Sequence, residues 1–152
     1  VGIDKQTVEK YIDLLEKTFV VFQLNSYSKN VRNELKKSKK IYFYDTGIRN
    51  AIIDNFKSLE NRGDKGALWE NFFISEMIKN NLNLGNTVRS YFWRTTQKQE
   101  IDYIEESGSI LKIFEIKWKA ANREKFPRTF IDNYKIAEKN SVNINNFDEF
   151  IS

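Results

Sequence analysis

The sequence contains no cysteine and no histidine among its 152 residues, and it has only one proline and one methionine. The absence of cysteine excludes disulfide bridges, thiolate nucleophiles and cysteine-based iron–sulfur or zinc sites. The absence of histidine excludes a Ser-His-Asp triad, an imidazole general base and histidine metal ligands. Any catalysis must therefore rest on carboxylate, lysine, tyrosine or hydroxyl side chains, or on a hard cation with oxygen ligands such as Mg²⁺ or Mn²⁺.

Long hydrophobic runs are also absent. No apolar stretch approaches the roughly 18–20 residues of a membrane span, and no signal-peptide pattern is present, so we expect a cytoplasmic protein with no membrane partner. Hydrophobic residues make up 40% of the chain and aromatic residues 14%, which is enough material for a sizeable core. The chain begins Val1-Gly2-Ile3 without a methionine, and we interpret it as a fragment of a longer protein.

Positive charge is unevenly distributed along the chain, whose net charge is +4. Residues 1–62 hold 12 basic and 8 acidic side chains, whereas residues 63–152 hold 13 of each, so the net charge lies entirely in the first segment. Much of it comes from one stretch that only Glu34 opposes, made of Lys29, Arg32, Lys36, Lys37, Lys39 and Lys40. Such a stretch can bind phosphate groups through counterion release, and the alternative is a solvated loop.

The first segment predicts a helix, a strand, a basic loop and a second strand. Asp4 can cap the helix, whose apolar residues repeat at helical spacing along one face. The other elements are strands at 19–24 and 41–44, the basic loop at 25–40, and a short helix at about 45–56. This order is that of the back half of a winged helix, in which the helix enters the DNA major groove and the loop, or wing, contacts phosphates.

The second segment predicts a mixed α/β domain. A long helix at about 65–82 has apolar residues on more than one face, so we expect it to be buried on two sides. The patterns after it are strands at 90–94, 100–105 and 110–118, a helix near 128–136, a short strand at 141–145 and a last helical turn at 147–151. A helix followed by a three-stranded meander, a helix and a strand is typical of a mixed α/β fold.

The second and third of these strands form a predicted hairpin. Gly108-Ser109 fits a two-residue type II′ turn, which takes glycine first. In that register Asp102 lies directly opposite Glu115, and strand alternation places Lys117 on the same face. Two opposed carboxylates repel unless positive charge lies between them, and a divalent cation can supply it. Lys117 could then orient or deprotonate a water or stabilise a charged transition state; the alternative is an exposed sheet face with mixed charges.

A glutamate in a long helix, an aspartate in a strand and Glu-x-Lys in the next strand together resemble the PD-(D/E)XK nuclease superfamily. The matching residues are Glu70, Asp102, Glu115 and Lys117. The resemblance implies a restriction-endonuclease-like mixed sheet with flanking helices. It also implies that Asp102 and Glu115, with the Ile116 carbonyl, hold Mg²⁺ or Mn²⁺, that Glu70 binds a second ion or a metal-bound water, and that Lys117 assists the attacking water. The chain departs from the superfamily pattern at residue 101, where isoleucine stands in place of proline.

More closely, nearly the whole chain resembles the C-terminal part of a bacterial and archaeal group of predicted AAA-type P-loop ATPases. The stretches that carry this resemblance are Asp4–Glu16, Ile41–Gly47, Leu68–Asn71, Tyr91–Arg94 and Phe114–Lys117. It implies a winged-helix remnant with a basic wing at 1–62, a PD-(D/E)XK-like domain at 63–152, and an N-terminal ATPase module as a partner in the same protein. The chain itself has no Gly-x-x-x-x-Gly-Lys-Ser/Thr motif, so it has no ATP site of that kind.

Two functions of different classes follow from these patterns. The first is a Mg²⁺-dependent phosphodiesterase acting on DNA, in which Arg94 contacts a phosphate; the alternative for Arg94 is a surface charge beside Trp93. The second is a non-catalytic nuclease-like module that gives the ATPase a DNA or protein partner. A third interpretation is self-association through an exposed aromatic surface.

Overall fold

The computed structural model of the chain describes residues 2–29, 34–35, 38–120 and 126–151. Six strands within these ranges form one mixed sheet. They are β1 (Val21–Ser26), β2 (Lys39–Phe43), β3 (Arg89–Arg94), β4 (Glu100–Ser107), β5 (Ile110–Ile116) and β6 (Ile136–Val142). Their order across the sheet is β2-β1-β3-β4-β5-β6; β1 runs parallel to β3 and β5 to β6, and the other neighbours are antiparallel. The mixed α/β class expected from the sequence is therefore confirmed.

Helices in the described residues lie before, between and after these strands. They are α1 (Lys5–Lys17), α2 (Thr46–Ile52), α3 (Lys65–Asn83), α4 (Arg128–Ile131) and α5 (Asp148–Ile151), with a short 3-10 helix at Leu59–Asn61. The Asp4 carboxylate caps α1 as predicted, because it accepts the Thr7 backbone N–H at 3.0 Å. No helix in the part of the chain that the structure describes is long and apolar enough to cross a membrane.

The predicted boundary between residues 62 and 63 separates two stretches of sequence but not two sheets. Asn25 and Ser26 of β1 pair in parallel with Tyr91 and Phe92 of β3, so the hairpin of β1 and β2 extends the sheet built by β3 to β6. Leu24 is 1% exposed and packs in the same core cluster as Phe92. The first segment therefore contributes strands and core residues to the second.

Two hydrophobic clusters fill the core in the described part of the chain. The larger joins α3 to the sheet through residues such as Trp69, Phe73 and Met77, and α5 packs against it. The smaller contains Phe130 of α4 together with strand residues such as Trp93. Buried residues of α3 extend around more than one of its faces, which confirms the burial expected for this helix.

The segment after residue 127 differs from the prediction. The helix expected at 128–136 ends at Ile131, and the strand expected at 141–145 begins at Ile136. The reason is tertiary, because Ile136 joins a parallel ladder with Leu111 of β5, and Glu138 to Val142 continue it. Such pairing depends on a strand distant in sequence and leaves little local signal in a polar stretch.

Asn71 of α3 connects the helix to the edge strand β2. Its side-chain oxygen accepts the Phe43 backbone N–H at 2.9 Å, and its side-chain nitrogen donates to the Phe43 carbonyl at 2.7 Å. Asn71 is 3% exposed, so the amide takes the place of a neighbouring strand for Phe43. This contact holds β2, and the side chains of Lys40 and Tyr42 on it, against α3.

Substituting Asn71 tests this connection. Asn71→Ala should lower the free energy of unfolding by about 2–3 kcal/mol, because two backbone groups are left without partners. Urea unfolding followed by circular dichroism measures the change. Asn83→Ala, at an exposed position of the same helix, is the matched control and should change stability by less than about 0.5 kcal/mol. An equal decrease in both variants would contradict the role of Asn71.

Candidate functional site

Three of the residues singled out by the sequence meet at one end of the β4–β5 pair. The ammonium nitrogen of Lys117 lies 3.4 Å from Asp102 Oδ2 and 3.5 Å from Glu115 Oε1. The Asp102 side chain is 13% exposed and that of Glu115 is 19% exposed, whereas that of Lys117 is 47% exposed. Two shielded carboxylates thus share one positive charge, which itself reaches the solvent.

The predicted hairpin register is confirmed as far as the ladder extends. Pairs from Ser107–Ile110 to Tyr103–Phe114 follow it, and Gly108 has the positive φ of 60° that the first position of a type II′ turn requires. The ladder ends one pair before Asp102 and Glu115. There the Ile116 backbone N–H donates to Asp102 Oδ2 at 2.8 Å, so a side-chain oxygen serves as the acceptor.

A β-bulge in β4 accounts for the position of Asp102. Trp93 pairs with Ile101 and Tyr91 with Ile104, so two residues of β4, Asp102 and Tyr103, oppose the single residue between Tyr91 and Trp93 on β3. Such an insertion bends the strand and redirects a side chain, and bulges are common beside functional sites. The bulge turns Asp102 away from regular pairing and towards Ile116 and Lys117.

Burial dominates the electrostatics of Asp102, which is 9% exposed. Burial raises the pKa of this carboxyl above its ordinary value, and the nearby charge of Glu70 raises it further. The hydrogen bond from Ile116 and the charges of Lys117 and Lys40 lower the pKa, but they do not outweigh burial and repulsion. A carboxyl with a perturbed pKa in a charged cluster is a candidate functional group.

Glu70 of α3 lies near this cluster but has partners of its own. Lys40 Nζ lies 3.0 Å from Glu70 Oε1, and the Tyr42 hydroxyl donates to the same oxygen at 2.5 Å. Lys40 also forms an ion pair with Glu100, and Arg94 Nε lies 3.5 Å from the other oxygen of Glu100. Glu70 and Glu100 with their cations therefore form a second charged group, next to the group of Asp102, Glu115 and Lys117.

Tyr42 is a member of the site that the sequence did not indicate, and Glu100, which the predicted hairpin register sets opposite Lys117, was given no role. Alternation along β2 places Tyr42 on the same face as Lys40, but nothing in the sequence shows that α3 faces this strand. Burial, together with the charge of Glu70, raises the pKa of Tyr42 well above its ordinary range, so Tyr42 stays a neutral donor. Burial lowers the pKa of Lys40, but the charges of Glu70 and Glu100 outweigh it and raise the pKa, so Lys40 remains an ammonium ion.

The described residues among those predicted to contact nucleic acid differ in their surroundings. Lys40 is 21% exposed in its side chain and directed to carboxylates, whereas Lys39 is exposed on the same strand. The Lys29 ammonium lies over the ring of Tyr27, 5.7 Å from its centre. Arg94 is 46% exposed in its side chain and close to Glu100. Three further members of the basic stretch, Arg32, Lys36 and Lys37, lie outside the described residues.

The donor chemistry of Asp102 and Glu115 fits one divalent cation. The two carboxylates already hold a positive group between them, and Mg²⁺ commonly takes one or two carboxylates and keeps water or substrate oxygens in its other positions. Among the described residues, no group of three or more acidic side chains is arranged to hold a metal ion. Glu70, whose carboxylate is bound by Lys40 and Tyr42, does not join Asp102 and Glu115 as a third ligand.

Comparison with known families gives the class of this mixed α/β domain. The chain belongs to the family described as Domain of unknown function (DUF4143), whose model matches residues 65–151. Domains of this family are commonly found in AAA-ATPase-associated proteins. A second model, described as Domain of unknown function (DUF8612), matches residues 1–59. The acidic residues and Lys117 therefore lie in the first match, whereas Lys40 and Tyr42 lie in the second.

Two curated mycobacterial proteins are similar to the chain. They are the uncharacterized protein Rv2008c of Mycobacterium tuberculosis and the uncharacterized protein Mb2031c of Mycobacterium bovis. Each is 36% identical to the chain over 109 residues, which is 70% of this chain and 24% of the relative. The chain thus spans about a quarter of the length of these relatives. No solved structure matches it.

The raised pKa of Asp102 predicts a stability cost at neutral pH. A carboxyl whose pKa is higher in the folded state stabilises the fold most at low pH, and this contribution is lost as the pH rises through the folded pKa. Asp102→Asn removes the charge and keeps an oxygen for the Ile116 N–H. This variant should therefore gain a few degrees in Tm relative to the parent at pH 7, and less at pH 4.

Thermal unfolding of both proteins at the two pH values measures this difference. Asp13→Asn, at an exposed position of α1, is the matched control and should stay within about 0.5 kcal/mol of the parent at either pH. A decrease in the stability of Asp102→Asn at pH 7 would show that the Lys117 ion pair outweighs burial.

Proposed function

We propose that this cluster is a PD-(D/E)XK-like site that hydrolyses DNA phosphodiester bonds with Mg²⁺ or Mn²⁺. The observation that carries the proposal is the convergence of Asp102, Glu115 and Lys117, with the Lys117 ammonium 3.4 and 3.5 Å from the two carboxylates. Asp102 and Glu115 lie on the adjacent strands β4 and β5, Lys117 directly follows β5, and the three match the order of the superfamily motif. The proposed setting is the cytoplasm, in a longer protein whose ATPase module lies outside this chain.

Asp102 and Glu115, with the Ile116 carbonyl, would hold the ion. When bound, the ion supplies positive charge to the phosphate and lowers the pKa of a coordinated water. The Ile116 N–H fixes Asp102 Oδ2 in place at 2.8 Å. This bond and the bulge orient the carboxylate before any ligand arrives, which lowers the cost of assembling the site.

Lys117 acts as a cation rather than as a base. Burial lowers the pKa of its ammonium group, but the charges of Asp102 and Glu115 outweigh burial and raise it above the ordinary value. The side chain is therefore charged at neutral pH. A charged donor beside the ion stabilises the negative charge that develops on a phosphate during hydrolysis.

Removal of Lys117 or Asp102 tests the catalytic assignment. Lys117→Ala and Asp102→Ala should each lower Mg²⁺-dependent nicking of supercoiled plasmid at least about 100-fold, because the first removes a charged donor to the phosphate and the second removes a ligand of the ion. Agarose gels at a series of times measure the rate. Circular dichroism confirms that the variants remain folded.

Lys112→Ala is the matched control for Lys117→Ala. Lys112 lies on β5, five residues before Lys117 in the chain. Its side chain has the same exposed fraction of 47%, and it pairs with Glu138 rather than with Asp102 or Glu115. The nicking rate of this control should stay within about twofold of the parent. Activity that survives in both cluster variants would contradict this proposal.

A non-catalytic DNA-binding or protein-binding module that serves the ATPase is the second candidate. It is favoured by the ion pairs themselves, because Lys117 already compensates Asp102 and Glu115 and Lys40 compensates Glu70 and Glu100. A site in which lysines satisfy the carboxylates can be purely structural. This candidate attributes DNA binding to the basic stretch of the first segment.

Neutralising three lysines of that stretch separates binding from catalysis. We expect Lys36, Lys37 and Lys39 changed together to Gln to weaken metal-free binding of duplex DNA. The logarithm of the association constant falls linearly with the logarithm of the salt concentration. The slope of this line should become shallower by roughly 0.9 for each phosphate that the variant no longer neutralises. Lys40 is left unchanged because its ammonium pairs with Glu70 and Glu100. Fluorescence anisotropy in EDTA over a range of salt concentrations measures both quantities.

The control for this experiment removes the same number of charges elsewhere. Lys112, Lys135 and Lys139 are exposed, lie in the second segment, and are changed together to Gln. The salt slope of this control should match that of the parent. Equally weakened binding in both triple variants, or no binding at low salt, would contradict DNA binding by the first segment.

A further inference from the structure

Glu70 and Glu100 form a second pair of acidic side chains beside Asp102, and one lysine bridges them. The Lys40 ammonium lies 3.0 Å from Glu70 Oε1 and also contacts Glu100 Oε1. The three side chains are 21–26% exposed, so solvent screens their charges only in part.

The surroundings hold Lys40 in this position. Its ammonium lies over the ring of Phe92, 5.3 Å from the centre, on a strand that α3 fixes through Asn71. Tyr42, two residues along the same strand, donates to the Glu70 oxygen that Lys40 contacts. The cation therefore stands between two carboxylates in the same manner as Lys117 stands between Asp102 and Glu115.

We infer that Lys40 is a built-in counter-ion for Glu70 and Glu100, so that the site takes a single divalent cation and the second acidic pair is closed to metal. This inference rests on the proposed function for the place of the first ion, at Asp102 and Glu115. A second divalent cation would need the two carboxylates that Lys40 now neutralises. Because the ammonium is covalently tethered, it competes with free ions at no cost in translational entropy.

The two parts of this arrangement come from different family matches. Lys40 and Tyr42 belong to the stretch matched by the first-segment model, at residues 1–59, whereas Glu70 and Glu100 belong to the match at residues 65–151. The strand pairing between β1 and β3 brings them together. The first segment thus sets the charge, and hence the metal capacity, of the site in the second.

Mn²⁺ titration of the whole chain tests this role. Lys40→Met keeps most of the length of the side chain and removes its charge. Isothermal titration calorimetry, with electron paramagnetic resonance of free Mn²⁺ as a second readout, should give one ion per chain for the parent and two for Lys40→Met. Lys40→Met should also have a Tm several degrees below the parent in EDTA and recover it in Mn²⁺, because the ion replaces the ammonium. Lys39→Met, on the same strand, should match the parent in the number of Mn²⁺ ions bound and in Tm.

A charge-balanced variant keeps the test valid if Lys40→Met alone fails to fold. Lys40→Met combined with Glu100→Gln removes one positive and one negative charge, so it should be close to the parent in Tm and should bind no additional ion. Equal ion numbers in the parent and in Lys40→Met would overturn the counter-ion role. No ion in the parent but one in Lys40→Met would support that role and count against a metal at Asp102 and Glu115.

Discussion

Negative charge is concentrated where the β4–β5 ladder ends, and two lysines from distant parts of the chain make it compatible with a folded protein. Asp102 and Glu115 are compensated by Lys117, and Glu70 and Glu100 by Lys40. An uncompensated carboxylate at this depth would be costly, since burial disfavours the charged form. The charged side chains lie on or directly after β2, β4, β5 and α3, so their ion pairs form only when these four elements are packed in this arrangement.

Two local features fix the positions of these strands and of α3. The bulge in β4 places two residues opposite one on β3, and Asp102 is then free to accept the Ile116 N–H. The Asn71 amide pairs with the backbone of Phe43 and joins the edge strand to α3. One feature positions the first group of charges and the other positions the second. Both are departures from regular strand pairing, which is common where a site is built into a sheet.

Much of the second segment could be predicted because its signals are local. The type II′ turn at Gly108 and the alternation of the flanking strands were enough to predict the β4–β5 register. The burial of α3 followed from apolar residues on more than one helix face. The end of α4 and the start of β6 were predicted wrongly, because the parallel pairing of Ile136 with Leu111 is set by a distant strand. The detailed winged-helix and PD-(D/E)XK assignments remain predictions.

By itself, the sequence determined which chemistry is open to this protein. Without histidine and cysteine, catalysis by this chain must use carboxylate, lysine, tyrosine or hydroxyl side chains, and the motif singled out Glu70, Asp102, Glu115 and Lys117. Only the tertiary structure decided how these groups are paired. It joined the two segments in one sheet and directed Lys40 to Glu70, and it left Asp102 and Glu115 to share Lys117. The reason is physical, because turns and alternation act over a few residues, whereas charge compensation depends on strands and helices distant in sequence.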